Sequence, residues 1–202
     1  MLRMKISNVL SILAILTLWL IAVPAQASNI VLNGNFDANS PAAQTAPVDW
    51  TLIPAASGSD FFVGAGPEYG AYSDPNSANF GAVGSLDDTL EQVLPTTPGQ
   101  GYVLDFFLAH AETDEANDFS VYWNGTQVLS LVNEADFGYT EYTFNVTATS
   151  SFTTLEFVGR EVPSWYDLDN VSVTSAVPEP TSLLLLGSGL AGIGLAAWRR
   201  KK

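Results

Sequence analysis

The chain has 202 residues, a formal net charge of −14, no cysteine and a single histidine, His110. The missing cysteines exclude disulfides, thiolate metal sites and cysteine nucleophiles, and one histidine excludes a multi-histidine metal centre. Between Ser28 and Ala176 lie 20 of the 21 acidic residues but one of the seven basic residues, Arg160, so this segment has a charge of −19. Such a surface repels phosphate backbones, which excludes nucleic-acid binding.

Residues 1–27 have the composition of a secretory signal peptide. Arg3 and Lys5 precede an almost continuously apolar run, Val9–Val23, and the small residues Ala25 and Ala27 follow as a cleavage site. This order predicts an N-terminal signal helix, export through the Sec translocon, and cleavage by signal peptidase after Ala27. An uncleaved N-terminal anchor is the alternative interpretation.

Residues 28–176 show the two-residue apolar period of β-strands and no helical stripe of useful length. Asn124-Gly125 between two alternating runs is a strong hairpin signal, since both turn positions favour φ > 0. Many short strands separated by turns predict an all-β, antiparallel β-sandwich. The predicted strands are Val48–Ile53, Thr89–Leu94, Gly101–Ala109, Phe119–Asn124, Gln127–Leu131, Tyr142–Thr147, Thr153–Gly159 and Asp169–Thr174.

The stretch Ala55–Ser85 is rich in glycine, serine and asparagine and is punctuated by aromatic residues. A loop of this length in a compact domain is usually functional or mobile. We expect an irregular segment here, with the aromatic residues available for packing or binding.

The C-terminal residues 177–202 combine an apolar span with a basic end. Thr181–Trp198 are 18 residues without a charge, which as a helix reach about 27 Å, enough for a thin bilayer core. Arg199–Lys202 follow directly, so the positive-inside rule places this end in the cytoplasm and the domain outside. We therefore predict a C-terminal transmembrane helix.

The sequence Pro178-Glu179-Pro180, followed by an apolar span and a basic terminus, resembles the PEP-CTERM sorting signal of exopolysaccharide-producing Gram-negative bacteria. The resemblance implies that exosortase recognises the Pro-Glu-Pro motif and removes the anchor. It also implies a protein that is anchored in the inner membrane before processing and then reaches the cell surface or the extracellular matrix. The two prolines suit a protease substrate, because they keep the segment extended.

A second resemblance covers the domain itself. Asn29–Asp37 opens it and Trp165–Val173 closes it, with Leu90–Val93 and Thr97–Tyr102 between them. This pattern is similar to the galactose-binding-like jelly roll, the fold of many non-catalytic carbohydrate-binding modules. The resemblance implies a β-sandwich but not a ligand, because this fold carries many functions.

The same resemblance implies one structural Ca²⁺ where the first and last strands meet, with Asp37 and Asp169 at the matching positions. Ca²⁺ binds several hard oxygens from carboxylates and carbonyls. The alternative is that Asp37 caps a turn and Asp169 binds backbone amides at a strand end. The acidic run His110–Asp118 is expected to be a solvated loop rather than a second calcium loop. His110 is expected to be a loop or strand-end residue rather than a ligand or base.

Sugar binding needs exposed aromatic rings that stack on pyranose faces, with carboxylates and amides for the hydroxyls. The candidates near predicted strand ends or loops are Trp50, Tyr69, Tyr72, Trp165 and Tyr166. Each can instead be a core residue. No nucleophile elbow or His-Glu-x-x-His motif is present, and no carboxylate pair is singled out as catalytic.

These observations predict three parts: a signal peptide (1–27), a galactose-binding-like β-sandwich (28–176) and a PEP-CTERM sorting signal (177–202). The leading hypothesis is a non-catalytic module that binds exopolysaccharide and is stabilised by Ca²⁺. One alternative is a structural biofilm or envelope component whose acidic surface is bridged by Ca²⁺. The other is a surface glycoside hydrolase.

Overall fold

The computed structural model describes residues 27–111 and 116–176. In these ranges the chain forms eleven β-strands and no helix. The strands are β1 (Ala42–Ala43), β2 (Thr51–Ile53), β3 (Phe62–Gly64), β4 (Ser77–Phe80), β5 (Asp88–Pro95), β6 (Gly101–His110), β7 (Asp118–Trp123), β8 (Thr126–Val132), β9 (Phe137–Thr147), β10 (Phe152–Arg160) and β11 (Tyr166–Ser175).

The strands form two antiparallel sheets. The six-stranded sheet has the order β1-β3-β4-β11-β6-β9, and the five-stranded sheet has the order β2-β5-β10-β7-β8. All pairings between these strands are antiparallel. The prediction of an all-β antiparallel sandwich is confirmed.

The core lies between the sheets and follows from the alternation along the strands. On β10, Leu155 and Phe157 are fully buried, while Glu156 between them is half-buried. Phe106 from the six-stranded sheet meets Phe157 from the five-stranded sheet edge to face, with ring centroids 5.3 Å apart. Contacts of this type between large rings join the two layers.

The two ends of the domain lie side by side. Asn29 forms a bridge with Thr174, and the backbone N–H of Ile30 donates to the carbonyl of Val173 at 2.9 Å. The side-chain oxygen of Asn29 also accepts the N–H of Val173. The opening segment is therefore attached to the closing strand β11.

The expectation of an irregular Ala55–Ser85 segment is wrong in part, because it contains β3 and β4. Ala78 and Phe80 on β4 are fully buried, while the alternating Ser77 and Asn79 bind the backbone of β3. Sequence patterning missed this strand because buried serine and asparagine resemble loop residues unless their partners are known.

No helix long and apolar enough to cross a bilayer occurs in residues 27–111 and 116–176. The predicted signal helix and transmembrane helix fall on residues outside the described ranges, as do Pro178, Glu179, Pro180 and Ala25.

Candidate functional site

Strand β11 carries two carboxylates on the outer face of the six-stranded sheet. Tyr166 and Leu168 point into the core, so the alternating Asp167 and Asp169 point away from it. Both are nevertheless buried, 1% and 0% exposed. Residues 66–76, which we call the covering segment, contact Asp167 through Gly66 and Asp169 through Ser73.

Hydrogen bonds and aromatic packing hold the covering segment to the sheet. The backbone N–H of Ser73 donates to Oδ2 of Asp169 at 2.7 Å, and the Tyr139 hydroxyl donates to the Gly70 carbonyl at 3.0 Å. The ring of Tyr72 stacks on Phe107, with centroids 3.7 Å apart and planes 12° from parallel. Tyr72 keeps 48% of its surface exposed, so an aromatic ring is accessible to a ligand here.

Asp169 lies at the centre of a hydrogen-bonded cluster. Besides Ser73, the backbone N–H of Asn170 donates to its Oδ1 at 2.6 Å. Burial raises the pKa of Asp169 to about 6; these hydrogen bonds oppose the shift and the charge of Asp37 adds to it. Asp169 therefore binds backbone amides, as one of the two interpretations of the sequence expected.

Two buried side-chain oxygens beside this cluster have no hydrogen-bond partner in the described residues: Oδ1 of Asp37 and Oδ1 of Asn76. The Asn76 amide donates to the carbonyls of Phe36 and Asn39, on either side of Asp37. Asn35 donates to the other Asp37 oxygen at 2.6 Å. Buried oxygens without donors are costly unless a cation or water satisfies them.

This donor set fits a hard cation. Two carboxylates and an amide oxygen from separate parts of the chain are typical Ca²⁺ ligands, and backbone carbonyls or water can complete such a site. In the part of the chain that the structure describes, no group of three or more His, Cys, Asp or Glu side chains could hold a metal ion. The set of Asp37, Asn76 and Asp169 is not a group of that kind, because Asn76 contributes an amide oxygen in place of a third carboxylate.

A groove of about 550 Å³ lies next to this cluster on the same face. Its walls come from the opening segment, β6, β9 and β11, and include Asn35, Asp105, Phe107, Glu141 and Asn170. Phe107 pairs with Glu141 across β6 and β9 and also stacks on Tyr72. The groove thus combines an apolar ring with carboxylates and amides.

Most residues that line the groove have no local signal in the sequence that would mark them as a site. Asp105 was visible as the one charge in the apolar strand Gly101–Ala109, which is a usable signal. Glu141 and Asn76 have no such local signal, because their positions matter only through strand pairing and loop packing.

The five aromatic candidates have different environments. Tyr72 is exposed and stacks on Phe107, which lines the groove, and Tyr69 is half-buried beside Asp136. Trp165 is half-buried; its ring packs edge-on against Phe62 and its indole N–H donates to the Asp60 carbonyl at 3.2 Å.

Trp50 and Tyr166 are corrections to the sequence-based candidates. Trp50 is 6% exposed and packs between Phe36 and Phe157, and Tyr166 is fully buried. Neither presents a ring face to solvent, because the sandwich closes over both.

Asp167 is a further buried carboxylate with an unsatisfied oxygen. Its Oδ1 has no partner in the described residues, and a Cβ at Gly66 would lie 2.1 Å from its Oδ2. Burial alone raises the pKa of Asp167 to about 7. Glycine at position 66 is therefore required for the covering segment to lie this close to the carboxyl group.

His110 forms a buried pair with Glu161, with Nε2 and Oε2 2.5 Å apart and both side chains inaccessible. The imidazole ring also stacks on Tyr166, with centroids 4.3 Å apart. His110 ends β6, which is one of the two expected positions, and its partner is a distant glutamate. The expectation of a solvated loop is wrong at His110 and Asn117, which are 0% and 1% exposed because they hydrogen-bond to buried Glu161 and Tyr166. Residues 112–115 of the acidic run lie outside the described ranges.

Residues 176–201 match the PEP-CTERM protein-sorting motif. The chain therefore carries this motif at its C-terminus, and the motif indicates export and membrane-anchored sorting. A search of the curated proteins finds no match.

Solved structures with the same architecture share little sequence with this chain. The enzymatically active domain of bacteriophage CBA120 tailspike protein 4 has a TM-score of 0.53 and 15% identity, covering 73% of this chain and 21% of that chain. A family 35 carbohydrate-binding module from Clostridium thermocellum has a TM-score of 0.45 and 16% identity, covering 68% and 100%. The CBM22-1 xylan-binding domain of Paenibacillus barcinonensis Xyn10C has a TM-score of 0.46 and 12% identity, covering 76% and 97%.

The similarity to the tailspike domain supports the fold alone. The chain spans about a fifth of the tailspike chain. The fold and the C-terminal motif together define a β-sandwich protein that is sorted through PEP-CTERM.

Proposed function

We propose that this protein is a non-catalytic, polysaccharide-binding protein of the cell surface or extracellular matrix. The observation that carries the proposal is the groove lined by Phe107, on whose ring the exposed Tyr72 stacks. A pyranose ring binds through an aromatic face and polar groups that reach its hydroxyls. Asn35, Asn170, Asp105 and Glu141 supply such groups.

The route to the surface follows from the two chain ends. Signal peptidase removes residues 1–27 after Sec export, and the C-terminal segment holds the protein in the inner membrane. Exosortase then recognises Pro178-Glu179-Pro180 and releases the domain to the surface of a Gram-negative cell. The match of residues 176–201 to the sorting motif supports this route.

A structural Ca²⁺ held by Asp37, Asn76 and Asp169 is part of the proposal. The two unsatisfied oxygens and the charge of Asp37, which acts on Asp169, support it. Bound there, the ion would brace the opening segment against β11 in a domain without disulfides.

Binding is tested on an array of bacterial polysaccharides with the purified full-length protein and its Tyr72→Ala variant. Loss of one stacked ring is expected to weaken binding by about tenfold or more. Tyr122→Ala is the matched control, since Tyr122 lies on the five-stranded sheet. Equal binding by the Tyr72 variant and the unchanged protein would contradict the groove as the site.

A second candidate function is a structural matrix component bridged by Ca²⁺. The charge of −19 on Ser28–Ala176 favours it. Self-association that requires Ca²⁺ and shows no sugar selectivity would support this alternative over the first.

A further inference from the structure

The charges around the groove narrow the class of polysaccharide that can bind. Asp105 and Glu141 both line it, from adjacent strands of the six-stranded sheet. Asp105 pairs with Thr143, two residues from Glu141, so the carboxylates are diagonal neighbours, roughly 7–8 Å apart at the backbone. In residues 27–111 and 116–176, neither side chain has a hydrogen bond to another protein group.

No positive charge from the domain balances them. Arg160 is the single cation between Ser28 and Ala176 and lies at the end of β10 in the other sheet. Its guanidinium donates to the carboxylates of Asp118 and Asp87 and to the Gly84 carbonyl. It is thus already bound elsewhere.

A cation at the proposed calcium site would not change this balance. Its two charges would offset Asp37 and Asp169, and Asp105 and Glu141 would remain uncompensated. A polymer with uronate, sulfate or phosphate groups is therefore repelled by the groove, while an ammonium group is attracted.

We propose that the groove selects a polysaccharide with free amino groups, whose ammonium is held between Asp105 and Glu141 while a sugar ring stacks on Tyr72. This inference rests on the proposed polysaccharide-binding function. Charge-assisted hydrogen bonds between ammonium and carboxylate are stronger than neutral ones, so the amine gives selectivity beyond ring stacking.

The test compares three hexasaccharides by isothermal titration calorimetry with the full-length protein in Ca²⁺: β-1,4-linked glucosamine, its N-acetylated counterpart, and a galacturonate oligomer. The glucosamine hexamer is expected to bind about tenfold more tightly than the acetylated one, the effect of one charge-assisted hydrogen bond. The galacturonate oligomer is expected not to bind.

Two double variants test whether Asp105 and Glu141 cause the preference for glucosamine. Asp105→Asn with Glu141→Gln should remove the preference for glucosamine and retain binding of the acetylated hexamer. The control is Glu91→Gln with Glu156→Gln, which removes the same charge from the other sheet and should retain the preference.

Other outcomes separate this inference from the proposed function. Equal binding of both glucosamine forms would overturn the inference and leave polysaccharide binding intact. A preference lost equally in both double variants would assign it to the bulk charge and would also overturn the inference. Tighter binding of galacturonate would overturn it, and failure of all three sugars together with the array would overturn both.

Discussion

At the scale of single residues, the outer face of the six-stranded sheet holds buried carboxyl groups whose ionised forms are unfavourable there. Asp167 and Asp169 are buried carboxylates whose pKa values are raised to about 7 and about 6. Three oxygens in this region, on Asp37, Asn76 and Asp167, lack a partner in the described residues. Buried polar groups without a partner are rare in folded proteins and often mark functional sites. Protonation or a bound cation would remove the unfavourable charge of the carboxylates.

Asp167 should make the protein less stable as the pH rises. The pKa of Asp167 is about 7 in the folded state and near 3.9 in the unfolded state. Its favourable contribution to the free energy of unfolding is therefore complete below about pH 4 and is lost as the pH rises through about 7. Asp167→Asn should raise the unfolding free energy at pH 8 by about 2 kcal/mol and leave it unchanged at pH 4. Urea unfolding at both pH values measures this, and an equal effect at both would contradict it.

Calcium should raise the melting temperature of the full-length protein, and more at pH 8 than at pH 5. The reason is that Asp169, with its pKa of about 6, must lose its proton to bind the ion. Thermal unfolding with and without Ca²⁺ measures the shift.

Asp169→Ala should abolish the Ca²⁺-dependent rise, and Asp167→Asn should retain it. The comparison is made within each variant, so a lower starting stability does not affect it. A melting curve that Ca²⁺ leaves unchanged in the unmodified protein would reject the site.

At the scale of secondary-structure elements, strand pairing creates charge contacts that the sequence does not display. Glu91 on β5 lies directly opposite Glu156 on β10, on the exposed face of the five-stranded sheet. Partial burial and the charge of Glu91 raise the pKa of Glu156. Like charges at directly opposed positions destabilise a sheet.

Glu156→Gln should therefore stabilise the fold at pH 7, by roughly 0.5 kcal/mol. The raised pKa means that this gain is absent at low pH, where Glu156 is protonated and costs nothing. Glu134→Gln is the control, since Glu134 is exposed between β8 and β9 and has no carboxylate opposite it in a strand pair. If both variants gain equally in chemical unfolding, the effect is bulk charge and not the strand pair.

At the scale of the whole molecule, the domain and the sorting motif follow one another directly in the sequence. The sandwich spans Ser28–Ala176, and the motif match begins at residue 176, where β11 has just ended. The closing strand is thus followed directly by the segment that we propose for exosortase recognition.

Glu179→Ala should leave an unprocessed, membrane-bound form in the producing cell, because the carboxylate is part of the recognised motif. Ser175→Ala, just before the motif, should be processed normally. Membrane fractionation and mass spectrometry of the C-terminus distinguish the two forms. Normal release of the Glu179 variant would contradict recognition through this motif.

The sequence by itself determined the features that depend on near neighbours. Alternating apolar residues predicted most strands, and Asn124-Gly125 predicted a tight hairpin in which both residues have positive φ, +50° and +75°. The net charge and the patterns of the two terminal segments likewise depend only on the composition and the order of the residues. Each of these features can be predicted from the sequence, because its physical cause lies within a few neighbouring residues.

Only the tertiary structure decided which distant residues meet and which aromatic rings are buried. Trp50 and Tyr166 are core residues, while Tyr72 remains exposed on Phe107. Asp37 and Asn76 come from loops far from Asp169 in the chain, and the groove joins β6, β9 and β11. Such groupings arise from strand pairing and from loops folding over a sheet, which no local period encodes.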